Sequence, residues 1–64
     1  MQIILPNRSV RILSCDPLTV EQILVQLGMN ATTVIVIKNG KVIPEDDIVG
    51  KNDEIRIIRV AHGG

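Results

Sequence analysis

The spacing of apolar positions changes repeatedly along the chain, and each change marks an element. Residues 1–5 form an aliphatic run, and residues 8–13 alternate Val10 and Ile12 with Ser9 and Arg11. Pro6 and Asn7 supply turn chemistry between them, so the two stretches read as a β-hairpin. Alternation sends Val10 and Ile12 toward the core, and in the first strand Ile3 and Leu5 take that side while Ile4 points away. Over residues 18–27 the spacing lengthens. Val20, Ile23, Leu24 and Leu27 follow i, i+3, i+4, i+7 and line one face of a helix of about three turns, with Glu21, Gln22 and Gln26 off that stripe. Thr19 and Gln22 fit a capping box, Leu18 and Ile23 stand where a hydrophobic staple closes the helix entry, and Gly28 supplies the left-handed stop.

Residues 33–38 are rich in β-branched side chains, and Asn39-Gly40 joins them to residues 41–43 in the pattern of a type I′ hairpin. The unbroken run 34–37 reads as an interior strand, and parity with Lys38 places Val34 and Val36 outward and Ile35 and Ile37 inward. Pro44 ends the return strand. Glu45, Asp46 and Asp47 then form a solvated acidic loop, with Ile48 as the anchor beneath it. After a turn at Asn52-Asp53 comes the final strand, residues 54–60. Ile55 and Ile57 share one parity in it, and Arg56, Ile58 and Val60 the other. With the first pair under the helix, Ile58 and Val60 stay exposed beside Arg56 and Arg59, an apolar patch rimmed by charge of the kind that docks partners. The order ββαββ, with short right-handed connections, predicts an α+β fold. Its helix lies across one face of a mixed sheet, and the last strand sits in the middle, parallel to the first.

Composition narrows the function. At 64 residues the chain is one small domain with little room for a deep pocket, which argues against a self-contained enzyme. Seven Lys plus Arg balance seven Asp plus Glu, and there is no Phe, Trp or Tyr, so neither a basic surplus nor base stacking favours nucleic acid. No apolar run approaches the roughly 18 residues of a membrane span, and residues 1–10 show no secretion signal, so a soluble cytoplasmic monomer is expected. The lone Cys15 can form neither an internal disulfide nor a zinc cluster and reads as a small structural residue. The carboxylates of Glu45, Asp46 and Asp47 read as a hydrated turn, and no metal site is expected.

The ending is less generic. The final strand runs through Arg59 and Val60 into Ala61-His62-Gly63-Gly64, a tail closing on two glycines. With Leu18-Thr-Val-x-x-Ile-Leu-x-x-Leu27 and Asn39-Gly-x-Val-Ile-Pro44, it resembles the β-grasp, ubiquitin-like sulfur carriers of the ThiS and MoaD families, ThiS more closely because MoaD is usually longer. The resemblance covers essentially the whole chain. It implies a β-grasp domain over residues 1–60 and a flexible tail over 61–64. His62 departs from the small or neutral residue more usual before the diglycine, and the lack of aromatics is unusual for MoaD-like members.

The chemistry that the resemblance implies resides in Gly64. An ionised carboxylate is an unreactive acyl group, so a partner adenylating enzyme lets it attack the α-phosphate of ATP. A sulfide sulfur then displaces AMP, or a persulfide sulfur does so and a second thiol of the partner cleaves the acyl disulfide as a new disulfide forms, and the resulting thiocarboxylate donates sulfur to an acceptor synthase. The acceptor is a thiazole precursor, a molybdopterin precursor or a tRNA base. The chain itself binds no cofactor; ATP and the sulfur donor are used by the partner. Glycines at 63 and 64 suit a tail threaded past other backbones, where a Cβ would obstruct, and residues 61–64 reach about 14 Å. Two other uses stay open: a ubiquitin-like modifier joined through Gly64 to lysines, and a passive interaction domain.

Overall fold

The computed structural model of the 64-residue chain describes residues 1–13 and 17–60. Its main sheet has five strands in the order β2-β1-β7-β4-β5, one more than the order ββαββ counts, because the return strand of the Asn39-Gly40 hairpin joins the sheet as a strand of its own. These are β1 (Gln2–Ile4), β2 (Val10–Ile12), β4 (Val34–Lys38), β5 (Lys41–Ile43) and β7 (Glu54–Arg59). A short ladder pairs β3 (Leu18–Thr19) with β6 (Ile48–Val49), and one helix, α1 (Val20–Leu27), packs on the sheet. β7 is central, parallel to β1 and antiparallel to β4, as the element order predicts. The architecture is the ubiquitin-like β-grasp.

The helix is fixed at both ends by its own sequence. Thr19 Oγ1 accepts from the Gln22 amide at 3.1 Å and Gln22 Oε1 accepts from the Thr19 amide at 2.9 Å, the reciprocal pair of a capping box. The acidic loop completes this N-terminus through its backbone: the Val20 amide donates to the Asp47 carbonyl at 3.0 Å and the Glu21 amide to the Glu45 carbonyl at 2.9 Å. At the other end Gly28 takes φ +70°, and the Gly28 and Met29 amides donate to Val25 and Leu24 carbonyls. At eight residues the helix is nearer two turns than the three expected, because Leu18 and Thr19 are spent on β3. Val20, Ile23 and Leu24 are buried, and they meet Ile3, Val34, Val36, Val49, Ile55 and Ile57 in a single aliphatic core.

Three sequence expectations are corrected. Val10 and Ile12 do not face the core: Ile12 is 81% exposed. The hairpin closes through three residues, Pro6-Asn7-Arg8, with the Leu5 amide donating to the Ser9 carbonyl at 2.8 Å and Arg8 at φ +70°. That loop length pairs Ile3 with Arg11 and Ile4 with Val10, so the even positions of β2 join the outer side. In β4, Val34 and Val36 are buried and Ile35 is exposed, the reverse of the expectation. Val36 pairs with buried Ile57, and Lys38 escapes burial at the strand end by reaching the Ile48 carbonyl at 3.1 Å. Ile48 is exposed, and its neighbour Val49, fully buried opposite Leu18, is the anchor.

Candidate docking face

Because β7 lies between β1 and β4, its side chains reach both halves of the sheet. Ile55 and Ile57 go under the helix, whereas Arg56 and Ile58 look out from the uncovered side, the parity predicted from sequence. Cross-strand registers extend that outer side through the whole sheet. Val10 lies opposite Ile4, Ile4 opposite Arg56, Arg56 opposite Ile37, and Ile37 opposite Val42. One row thus crosses all five strands, aliphatic except for the guanidinium at its centre. Ile58 and Ile35 form the next row, toward the end of β7. Val10, Ile35, Val42, Ile58 and Val60 are all exposed. A contiguous aliphatic face with a single cation at its centre is the type of surface that a partner can cover and orient on.

Sequence reasoning placed Arg56, Ile58 and Val60 on this face and missed Val10, Ile35 and Val42. The signal that would have found them is the three-residue hairpin loop, which sets β2 parity, together with the pairing of β4 to β7. Arg59 has the parity of Ile57 and lies opposite Val34, so it borders the end of the sheet on the helix side instead of the open face. Ala61, His62, Gly63, Gly64 and Cys15 lie outside the described residues.

The opposite end of the sheet carries a polar clasp. Asp53 Oδ2 accepts from the Gly50 amide at 2.7 Å and its Oδ1 from Asn39 Nδ2 at 3.0 Å, while Asn39 Oδ1 accepts from the Glu54 amide at 3.1 Å. The Gly50 amide first, and the Asn39 amide group second, hold the Asp53 carboxyl below the usual carboxylate range. The clasp ties the type I′ turn, with Asn39 at φ +49° and Gly40 at φ +86°, to the start of β7. Its chemistry is structural. Among the described residues no group of three or more His, Cys, Asp or Glu is placed to hold a metal ion, and no helix is long and apolar enough to cross a membrane.

The sequence over residues 6–61 matches the family model of small archaeal modifier protein 2. The chain belongs to the small archaeal modifier protein 2 family. This family is ubiquitin-like and related to the MoaD and ThiS carriers, which agrees with the fold and with the coarser part of the sequence resemblance. The small archaeal modifier match takes in the helix, β4, β5 and β7, and stops before the diglycine. An "Uncharacterized protein" of Archaeoglobus fulgidus is 42% identical over 43 residues, 67% of this chain and 63% of its own length. The chain thus spans less than two thirds of that relative.

Proposed function

We propose that the chain is a ubiquitin-like carrier, a protein cosubstrate whose Gly64 carboxylate is adenylated by a partner enzyme and transferred onward. The family match over residues 6–61 carries this reading, because it joins a modifier family to a β-grasp domain whose central strand precedes the diglycine by a few residues. Carboxylate oxygen attacks the α-phosphate of ATP and pyrophosphate leaves. A lysine amine of a target protein then displaces AMP to give an isopeptide, or hydrosulfide displaces it to give a thiocarboxylate. Sulfur delivery to a thiazole precursor is the finer form of the second route, supported by the likeness of residues 18–27 and the tail to ThiS. In either route Arg56, Ile58 and Val60 dock the activating enzyme, and Arg59 flanks the tail.

ATP–pyrophosphate exchange with the activating enzyme tests the proposal. Deleting Gly64, or adding one residue after it, moves the reacting carbon by about 3.5 Å. Where geometry supplies the rate, about 1 Å can cost a hundredfold, so exchange should collapse while folding stays intact. Equal exchange by all three proteins would remove the carrier reading. Intact mass of chain isolated from its own cells separates the routes: exchange of one oxygen for sulfur marks the carrier, and conjugate ladders mark the modifier.

A further inference from the structure

At the end of the sheet where β7 finishes, the ladder between β1 and β7 stops early. Its last pair is Ile4 with Arg56, yet β7 continues beside β4 to Arg59. The cause lies in the sequence: the next residue of the first strand facing β7 is Pro6, which has no amide hydrogen with which to carry the ladder on. A notch opens there between β7 and the β1–β2 turn. Successive residues of a strand turn their N–H and C=O groups to opposite edges, and the Val60 amide donates to Thr33 on the β4 side at 3.0 Å. The N–H and C=O of Arg59 therefore face the notch, where among the described residues they have no backbone partner, a short free strand edge.

The walls of the notch have one charge. Arg8, Arg11, Arg56 and Arg59, all the arginines of the chain, line it, and among the described residues no Asp or Glu does. Leu5, Ile58, Leu27 and Met29 supply aliphatic surface between them. Arg8 adds a second observation. It occupies the left-handed position of the hairpin loop, where glycine or asparagine is favoured, so its side chain is kept against local backbone preference.

We infer that this notch binds an extended acidic segment of a partner protein. The segment adds as a strand to the free edge at Arg59, with carboxylates on Arg11 and Arg59, which share the helix side with Arg8 nearby in the loop, and the alternate aliphatic side chains on Ile58 of the open side. A strand edge needs a peptide backbone, and the aliphatic walls need side chains that a polyanion lacks, which favours peptide over nucleic acid. The inference deepens the docking half of the proposed function and is independent of Gly64 chemistry.

The test uses the intact chain and a fluorescent short peptide of alternating glutamate and valine. Controls are the lysine–valine peptide, inorganic polyphosphate and oligothymidylate. Saturable binding of the acidic peptide is expected, weakening with salt, with the Arg59 amide protected from hydrogen exchange in the complex. Arg8→Gly should melt at or above the parent temperature and bind the peptide about fivefold more weakly. Absence of saturable binding, an unprotected Arg59 amide, or equal binding by any control would overturn the inference. A peptide that fails here while Gly64 deletion still abolishes pyrophosphate exchange would sink this inference and leave the carrier reading standing; the opposite pair of results would do the reverse.

Discussion

Ile57 and Ile58 are adjacent in β7 and chemically identical, yet one is 1% exposed and the other 42%. The contrast repeats across the sheet: Ile3 against Ile4, Val36 against Ile35. One face is closed by Val20, Ile23 and Leu24 of the helix, and the other, equally aliphatic, is left open. A single eight-residue helix can cover only one side of a five-stranded sheet. Aliphatic residues on the open side add little to folding, since water still reaches them. In the proposed function a partner covers them.

The largest effect that can break this comparison lies on the closed face. Ile57→Ala and Leu24→Ala should each cost roughly 2–5 kcal/mol, a large share of the stability of so small a core, whereas Ile58→Ala should stay within about 0.5 kcal/mol of the parent. Denaturant titration of the three proteins checks this. Equal losses at Ile57 and Ile58 would mean that the two faces are not distinct. Thr19→Ala should cost about 1 kcal/mol, read by the same titration, since it removes the hydroxyl that accepts from the Gln22 amide.

The smallest effect is expected at the clasp. The Asp53 carboxyl has its pKa depressed in the folded chain, so its contribution to stability is present above the unfolded value of about 3.9 and is lost as pH falls through the folded value. Asp53→Asn should therefore flatten the acid limb of a stability–pH profile below about pH 4. An unchanged acid limb would show that the Gly50 and Asn39 contacts do not bias protonation.

The sequence makes some of this architecture readable and hides the rest for a physical reason. Helix start and stop depend on residues within a few positions, and Thr19, Gln22 and Gly28 announce them directly. The I′ turn at Asn39-Gly40 is local in the same way. Strand parity is not local when both faces are aliphatic: the run 34–37 has no polar alternation, and only its pairing with β7 decides that Val36 goes in. Val10 and Ile12 were misplaced because a three-residue loop, with an arginine in its left-handed position, sets a register that the alternation alone cannot reveal. On the candidate site, β7 was legible because Arg56 breaks its pattern. The notch was not, because it arises from a missing amide at Pro6, which the parallel register sets opposite Ile58 and which leaves β7 unpaired beyond that point on the β1 side.

In the proposed function one sheet divides its work, the closed face holding the fold and the open face docking the activating partner. Ile58→Glu tests it most directly, with melting temperature and pyrophosphate exchange measured on the same preparation. A charge placed on the open face should leave the melting temperature within a few degrees of the parent. It should raise the KM for the carrier by about tenfold or more, because the carboxylate is desolvated in the complex. A variant that unfolds, or one that supports exchange at the parent KM, would contradict the account.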